Sequence, residues 1–326
     1  MAELTMVEAI NLALAEEMRR DERVVILGED VGVDGGIFRV TKDLIEEFGE
    51  ERVIDTPLAE SGIMGVSVGM AMRGLRPVPE MQFSGFSYLG FHQIESHLSR
   101  MRWRTQGGRQ VPVVVRMPYG AGVRALEHHS ESREVFYTHM PGIKLVVPSG
   151  PRAARTLLVA AIRDPDPVVF FEPKALYRAF REEVSDEEDE PITIGKAMIR
   201  RDGTDLTLVA YGAMLPRAME AAKTLADGGI EAEVIDLLTL SPLDHEAIAA
   251  SVRRTGRCVV VHEAPLSYGP GAEIAARVME GAFLKLQAPV MRVTGPDVNV
   301  PYFAREQLYL PDAERIADAC RATMNY

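Results

Sequence analysis

With 326 residues, 47% of them hydrophobic, the chain is long enough to bury two separate cores. A formal net charge of -12 excludes nucleic acid as the natural partner, since that recognition needs clustered cations, and it suits solubility or a basic protein partner. The longest uncharged apolar run, Ile63 to Met72, is about half of the ~20 residues that cross a bilayer, and no basic-then-apolar leader opens the sequence, so a soluble protein is expected, with no membrane role.

In chain order, Val24 to Gly28, Pro77 to Phe83, Pro112 to Met117, Lys144 to Pro148 and Pro167 to Phe171 are short β-branched or apolar runs between turn residues and predict buried strands. Helical patterns alternate with them at Met6 to Arg20, Thr41 to Phe48, Ile63 to Arg73, Phe91 to Arg104 and Pro151 to Arg163. Such alternation predicts an α/β domain whose mainly parallel sheet carries helices on both faces, over residues 1–180. From Glu182 to Glu190 seven of nine residues are acidic, which reads as a solvated linker over 181–192. Residues 193–326 repeat the α/β pattern: strands at Leu206 to Ala210, Ala232 to Ile235, Cys258 to His262 and Val290 to Val293, helices at Leu215 to Asp227, His245 to Arg254 and Gly271 to Leu286. Gly28 and Gly32 lack the third glycine of a dinucleotide fingerprint, which disfavours a Rossmann cofactor site. Cys258 and Cys320 read as reduced thiols, consistent with the cytoplasm, and the seven histidines show no zinc spacing.

Glu60 is the most informative residue, because a lone carboxylate there opens a helix whose ten residues from Ile63 to Met72 are all apolar or small and predict burial on every side. The dipole favours a carboxylate at that end and desolvation disfavours it. The simpler alternative is a first-turn Glu that helps Thr56 or Ser61 cap the helix.

Six strings occur in one order: Leu27-Gly28-Glu29-Asp30-Val31-Gly32, Asp55 to Glu60, Met81-Gln82-Phe83-Ser84-Gly85-Phe86, His128-His129-Ser130-Glu131-Ser132, Pro141-Gly142-Ile143-Lys144 and Phe171 to Arg178. With them, and with His262-Glu263-Ala264-Pro265 near the end, the chain resembles the beta subunits of 2-oxoacid dehydrogenase components, which use thiamine diphosphate. The resemblance implies a pyrimidine-binding fold followed by a transketolase C-terminal-like domain. It also implies oxidative decarboxylation of a 2-oxoacid, pyruvate first, with acyl transfer to a lipoyl group.

By that resemblance Glu60 is the carboxylate that hydrogen-bonds the aminopyrimidine and lets the cofactor act as its own base. Phe86 stacks on the pyrimidine, Leu58 and Gln82 line the same pocket, and Glu29 lies beside it. His129 orients the 2-oxoacid and donates a proton during acyl transfer, with His128 in a supporting role. Taken alone, Phe86 would read as core and His129 as an idle loop residue. The chain lacks the Gly-Asp-Gly and Asn-Asn pair that holds Mg2+ in this superfamily, so an alpha subunit is expected to bind the diphosphate through Mg2+. The other implied partners are a second beta subunit, giving two alpha and two beta chains, and a lipoyl acyltransferase whose basic subunit-binding domain meets an acidic surface. K+ is a further implied ligand, between Val111, Val113 and Val114 on one side and Ala161, Asp164 and Asp166 on the other. Leu238 departs from the Arg of many relatives, which puts only local interface contacts in doubt. Competing readings are a branched-chain or acetoin dehydrogenase subunit, half of a split transketolase, and a scaffold that has lost its chemistry.

Overall fold

The computed structural model describes residues 2–185 and 192–326. The chain forms two compact units, Met1–Tyr119 with Phe136–Ile194, and Gly120–Val135 with Gly195–Tyr326. The second unit thus takes a segment, 120–135, that its position in the sequence assigned to the first domain.

In the first unit the strands are β1 (Ala2–Leu4), β2 (Val24–Gly28), β3 (Val53–Asp55), β4 (Arg76–Glu80), β5 (Val114–Tyr119), β6 (Lys144–Val146), β7 (Val168–Pro173) and β8 (Glu182–Val184). Parallel strands lie in the order β6-β7-β5-β4-β2-β3. Every residue of β2, β5 and β7 is buried, which explains their continuous apolar runs. Helix α1 (Met6–Arg20) starts at a capping box: Thr5 N–H donates to the Glu8 carboxylate at 2.7 Å, and Glu8 N–H donates to Thr5 Oγ1 at 3.4 Å. It buries Met6, Ile10, Leu14 and Met18, whose spacing of three and four residues marks one face.

Chain order and strand order diverge around β2. The connection out of β2 leads to β3 on one side, while that out of β4 leads to β5 on the other, so a crevice opens beyond the carboxyl ends of β2 and β4. Helices α2 (Leu44–Phe48) and α3 (Glu60–Met72) flank β3 in sequence, and α4 (Ser87–Gln93) follows β4.

Three expectations differ from what is seen. The helix predicted from Phe91 to Arg104 is α4, a π turn at Ile94–Leu98 and α5 (Ser99–Arg104). Ser99 N–H bonds Ile94 O, five residues back, while its hydroxyl takes the freed Glu95 carbonyl at 2.6 Å. Helix α3 is not buried all round: Ile63, Met64, Ser67, Val68 and Ala71 face inward, whereas Val66 is 53% and Met72 41% exposed. The acidic stretch begins as a strand, not a linker, since β8 pairs antiparallel with β1. Glu182 accepts Arg152 N–H at 3.0 Å at the start of helix Pro151–Arg163, where a carboxylate meets the positive end of the helix dipole. Residues 186–191 of that stretch lie outside the described residues.

The second unit has a sheet in the order Met291–Gly295, Cys258–Pro265, Leu206–Ala210, Ala232–Asp236, Met198–Arg201, parallel except for the last strand. Its closing helix, Ala313–Met324, was not anticipated although Asp312 caps it and Ile316, Ala317, Cys320 and Thr323 form its buried stripe.

Candidate active site

Glu29, Glu60, Gln82 and Phe86 follow the carboxyl ends of β2, β3 and β4, so the topology gathers expectations that lie far apart in sequence. The loop after β2 is gripped from two sides. Asp55, the last residue of β3, accepts Gly32 N–H at 2.6 Å and Val33 N–H at 3.1 Å. Gln82 donates its side-chain amide to Asp30 at 2.9 Å. Between these contacts Glu29 is buried, and burial, then the charge of Glu60, then that of Asp30 push its carboxyl above the ordinary value.

Glu60 is the first residue of α3 and only 4% exposed. Ala59 occupies the N-cap and no side chain caps the helix, so neither Thr56 nor Ser61 plays the capping role of the simpler alternative. Glu60 Oε2 and Thr56 Oγ1 are both buried without a hydrogen-bond partner among the described residues. A buried acceptor left unmet costs about 1–3 kcal/mol, more when charged, which is a reason to expect a ligand at that point. α4 presses on this first turn through Gly90: a Cβ there would lie 2.9 Å from Met64 Cγ and 3.2 Å from Glu60 O.

Phe86 is half-buried at the end of a single turn, Ser84–Phe86, its ring edge-on to Phe83 at 5.5 Å between centroids. Leu58 is 77% exposed, so in this chain it forms an open rim and not a closed wall. Beneath the site Arg116, with no exposure, pairs with Glu80 at 2.7 Å and with Glu172 at 2.7 Å, and Tyr177 donates to Glu172 at 2.6 Å. The cluster ties β4, β5 and β7 together below the surface from which the site residues project.

His128 and His129 belong to the second unit, on the short turn Glu127–His129. Their rings lie 4.2 Å apart, and His128 Nδ1 is 3.6 Å from the Glu127 carboxylate. The loop closes where Gly120 N–H bonds Glu131 O at 3.0 Å. Carboxylates from distant sequence hold its first residues: Glu263 accepts Ala121 N–H at 2.9 Å, and Glu306 accepts Gly122 N–H at 2.9 Å and Arg124 N–H at 3.1 Å. Gly120 has φ +81°, and a Cβ on it would meet Glu263 Oε1 at 2.6 Å, so glycine is required twice over. Nearby, Glu134 is fully buried, receives the Tyr211 hydroxyl at 3.1 Å and is pushed up to about 8, chiefly by burial.

The K+ ligands expected at Asp164 and Asp166 are otherwise engaged. Lys144 Nζ donates to both oxygens of Asp164 at 2.6 and 2.8 Å, and Arg102 pairs with Asp166 at 2.9 Å. Among the expected backbone ligands, Val111 O, Val113 O and Ala161 O already accept N–H groups of Val113, Val168 and Asp164, while Val114 is simply buried in β5. In this structure both carboxylates are thus paired with the chain's own cations.

Sequence reading missed Asp55, Thr56, Glu263 and Glu306. Asp55, Thr56 and Glu263 sat inside recognised strings that carried no role for them, and nothing local marks Glu306; Glu263 and Glu306 are 142 and 184 residues from the amides of Ala121 and Gly122 that they hold.

A family model described as the transketolase pyrimidine binding domain matches residues 2–179, and one described as the transketolase C-terminal domain matches residues 195–316. A pyruvate dehydrogenase E1 component subunit beta from Staphylococcus epidermidis is 48% identical over 326 residues, covering 100% of both chains. The protein of that name from Bacillus subtilis is 47% identical over the same span, again 100% of both. A 3-methyl-2-oxobutanoate dehydrogenase subunit beta from Mycobacterium tuberculosis is 51% identical over 316 residues, 97% of this chain and 90% of that one. A solved split gene transketolase, described as an inactive beta4 tetramer, shares the fold with a TM-score of 0.80 at 23% identity over 99% of each chain. Two transketolase-type domains in this order, a full-length match to these relatives and a buried glutamate at the head of α3 with one oxygen unmet among the described residues belong together: the chain is a member of the beta subunits of the thiamine-diphosphate-dependent 2-oxoacid dehydrogenases.

Proposed function

We propose that this chain forms the pyrimidine-side half of an active site that decarboxylates pyruvate and passes the acyl group to a lipoyl carrier. The observation that carries the reading is Glu60, a buried carboxylate with one oxygen unmet among the described residues and no capping duty. An unmet acceptor, the half-buried Phe86 ring and the Gln82–Asp30 contact suit a flat heteroaromatic group that needs a hydrogen bond at one edge and stacking on one face. When bound, thiamine diphosphate supplies the carbon nucleophile and the electron sink that decarboxylation requires.

Glu60 Oε2 would share a proton with a ring nitrogen of the pyrimidine, and Phe86 would fix the plane of that ring. Glu29, already disposed to take up a proton, lies within electrostatic reach of Glu60. His129 would orient the 2-oxoacid and donate a proton during acyl transfer, with His128 beside it. Mg2+ and the diphosphate would be held by an alpha subunit, in an assembly of two alpha and two beta chains. The acidic balance of the chain suits a basic docking domain on a lipoyl acyltransferase, and the working compartment is the cytoplasm.

The test is to co-express the chain with its alpha partner and measure 2-oxoacid decarboxylation for wild type and Glu60→Gln. The expected loss is on the order of 10²–10⁴-fold with assembly and melting temperature retained. Near-normal turnover in the assembled variant ends the assignment. The relative named for 3-methyl-2-oxobutanoate supports a second substrate reading, a branched 2-oxoacid. The ratio of kcat/KM for pyruvate and for that acid decides between them, since one methylene is worth only about 1–3 kcal/mol.

A further inference from the structure

The function leaves unused the His262-Glu263-Ala264-Pro265 string and the buried Glu306. Glu263 is 2% exposed at the end of strand Cys258–Pro265, and Glu306 is fully buried at the head of the short helix Glu306–Tyr309. Burying two carboxylates is costly unless hydrogen bonds meet them, and the bonds they accept include three backbone amides of one loop, those of Ala121, Gly122 and Arg124. That loop is also the one that carries His129. It turns through two positive-φ glycines, Gly120 and Gly122, and a positive-φ Arg124, a backbone path that has little to hold it without such acceptors. At its far side Gly120 N–H closes on Glu131 O, and the exposed Tyr302 hydroxyl helps to hold the carboxyl of Glu127, two residues before His129, below the ordinary value.

We propose that Glu263 and Glu306 are positioning residues for His129, gripping through their carboxylates the backbone of the loop on which it rides. Each bond is charge-assisted and internal to one compact unit, so the imidazole is aimed by a fixed frame. The inference rests on the reading of His129 as a group that meets the substrate. Displacing such a group by about 1 Å costs on the order of 10²-fold in rate, and neither glutamate needs to touch substrate to have that effect.

The experiment uses the assembled enzyme with its alpha partner, carrying Glu306→Ala, Glu306→Gln, Glu263→Gln, Tyr302→Phe or His129→Ala, and the double variant Glu306→Ala with His129→Ala. Amide hydrogen exchange at Ala121, Gly122 and Arg124 is expected to accelerate in the glutamate variants and stay slow in His129→Ala. Lipoyl acylation is expected to fall about 10- to 100-fold in Glu306→Ala, less in Glu306→Gln, which keeps one acceptor oxygen, and no further when Glu306→Ala is added to His129→Ala. Tyr302→Phe, an exposed position, is expected to lose activity in the same direction by a smaller factor, so the test survives an alanine variant that fails to fold. Unchanged exchange at the three amides, or losses that multiply in the double variant, overturns the proposal. Full activity in His129→Ala alone overturns instead the reading of His129 on which it rests.

Discussion

Gly90→Ala separates the stability of this protein from its use of Glu60. The added methyl would sit 2.9 Å from Met64 Cγ, the flexible end of a side chain that can rotate, and 3.2 Å from the Glu60 carbonyl, which cannot move without shifting the first turn of α3. Two opposing terms set the stability. Alanine gains about 1 kcal/mol over glycine inside a helix, and overpacking costs about 1–3 kcal/mol. The net is a loss of about 0–2 kcal/mol, or no more than about 8 °C in melting temperature for units of this size. Activity responds to the displacement instead. A shift of a few tenths of an ångström at Glu60 predicts roughly a threefold to tenfold fall in turnover, scaled from the 10²-fold cost of about 1 Å. The assay is a thermal melt beside steady-state kinetics across a thiamine diphosphate titration, on enzyme assembled with the alpha subunit. A variant that melts well below this range with kinetics unchanged would refute the idea that α4 sets the position of Glu60.

Removing the cation from the buried cluster, Arg116→Met, leaves Glu80 and Glu172 facing each other without compensation, and a loss of about 3–5 kcal/mol is expected in urea or thermal unfolding. Burial already raises the Glu80 carboxyl, so the variant should recover stability as pH falls below 7 and Glu80 takes up a proton; a loss independent of pH counts against the cluster as described. Glu134, raised to about 8, holds its proton in the native state across a window where the unfolded chain has released it. Its contribution is complete below about 4.5, is lost as pH rises through about 8, and amounts to about 1.4 kcal/mol per pH unit at most. Glu134→Gln should therefore flatten melting temperature against pH over that interval, and curves that stay parallel would contradict the neutral carboxyl.

The parallel strands were legible because each is buried on both faces and reads as an unbroken apolar run: Val24 to Gly28 and Leu206 to Ala210 fall where the pattern puts them. Strands made by distant pairing were not. β8 has a solvated composition and becomes a strand only because Ala2–Leu4 lies beside it, and Met198–Arg201 is an antiparallel edge strand with two arginines. At the candidate site, recognised strings located Glu29, Glu60, Gln82 and Phe86, but not the grip of Asp55 on the loop after β2. Asp55 works by receiving backbone amides 22 and 23 residues away, and the identity of a backbone amide leaves no trace in sequence. The misreading of α3 has a plain cause. Composition says that ten residues are apolar or small, but not how many neighbours one chain can place around them, and Val66 and Met72 remain uncovered.

Glu29, whose affinity for a proton is raised by burial and then by Glu60 and Asp30, shows that acids are crowded at one end of this sheet at some cost to the bare fold. Random variation screened only for heat resistance would be drawn to these positions, because an amide or an alkyl group in place of one acid relieves the crowding. The hardiest variants would then be the least useful ones, and a thermostability campaign that spares this crevice is better served by cap and surface positions elsewhere.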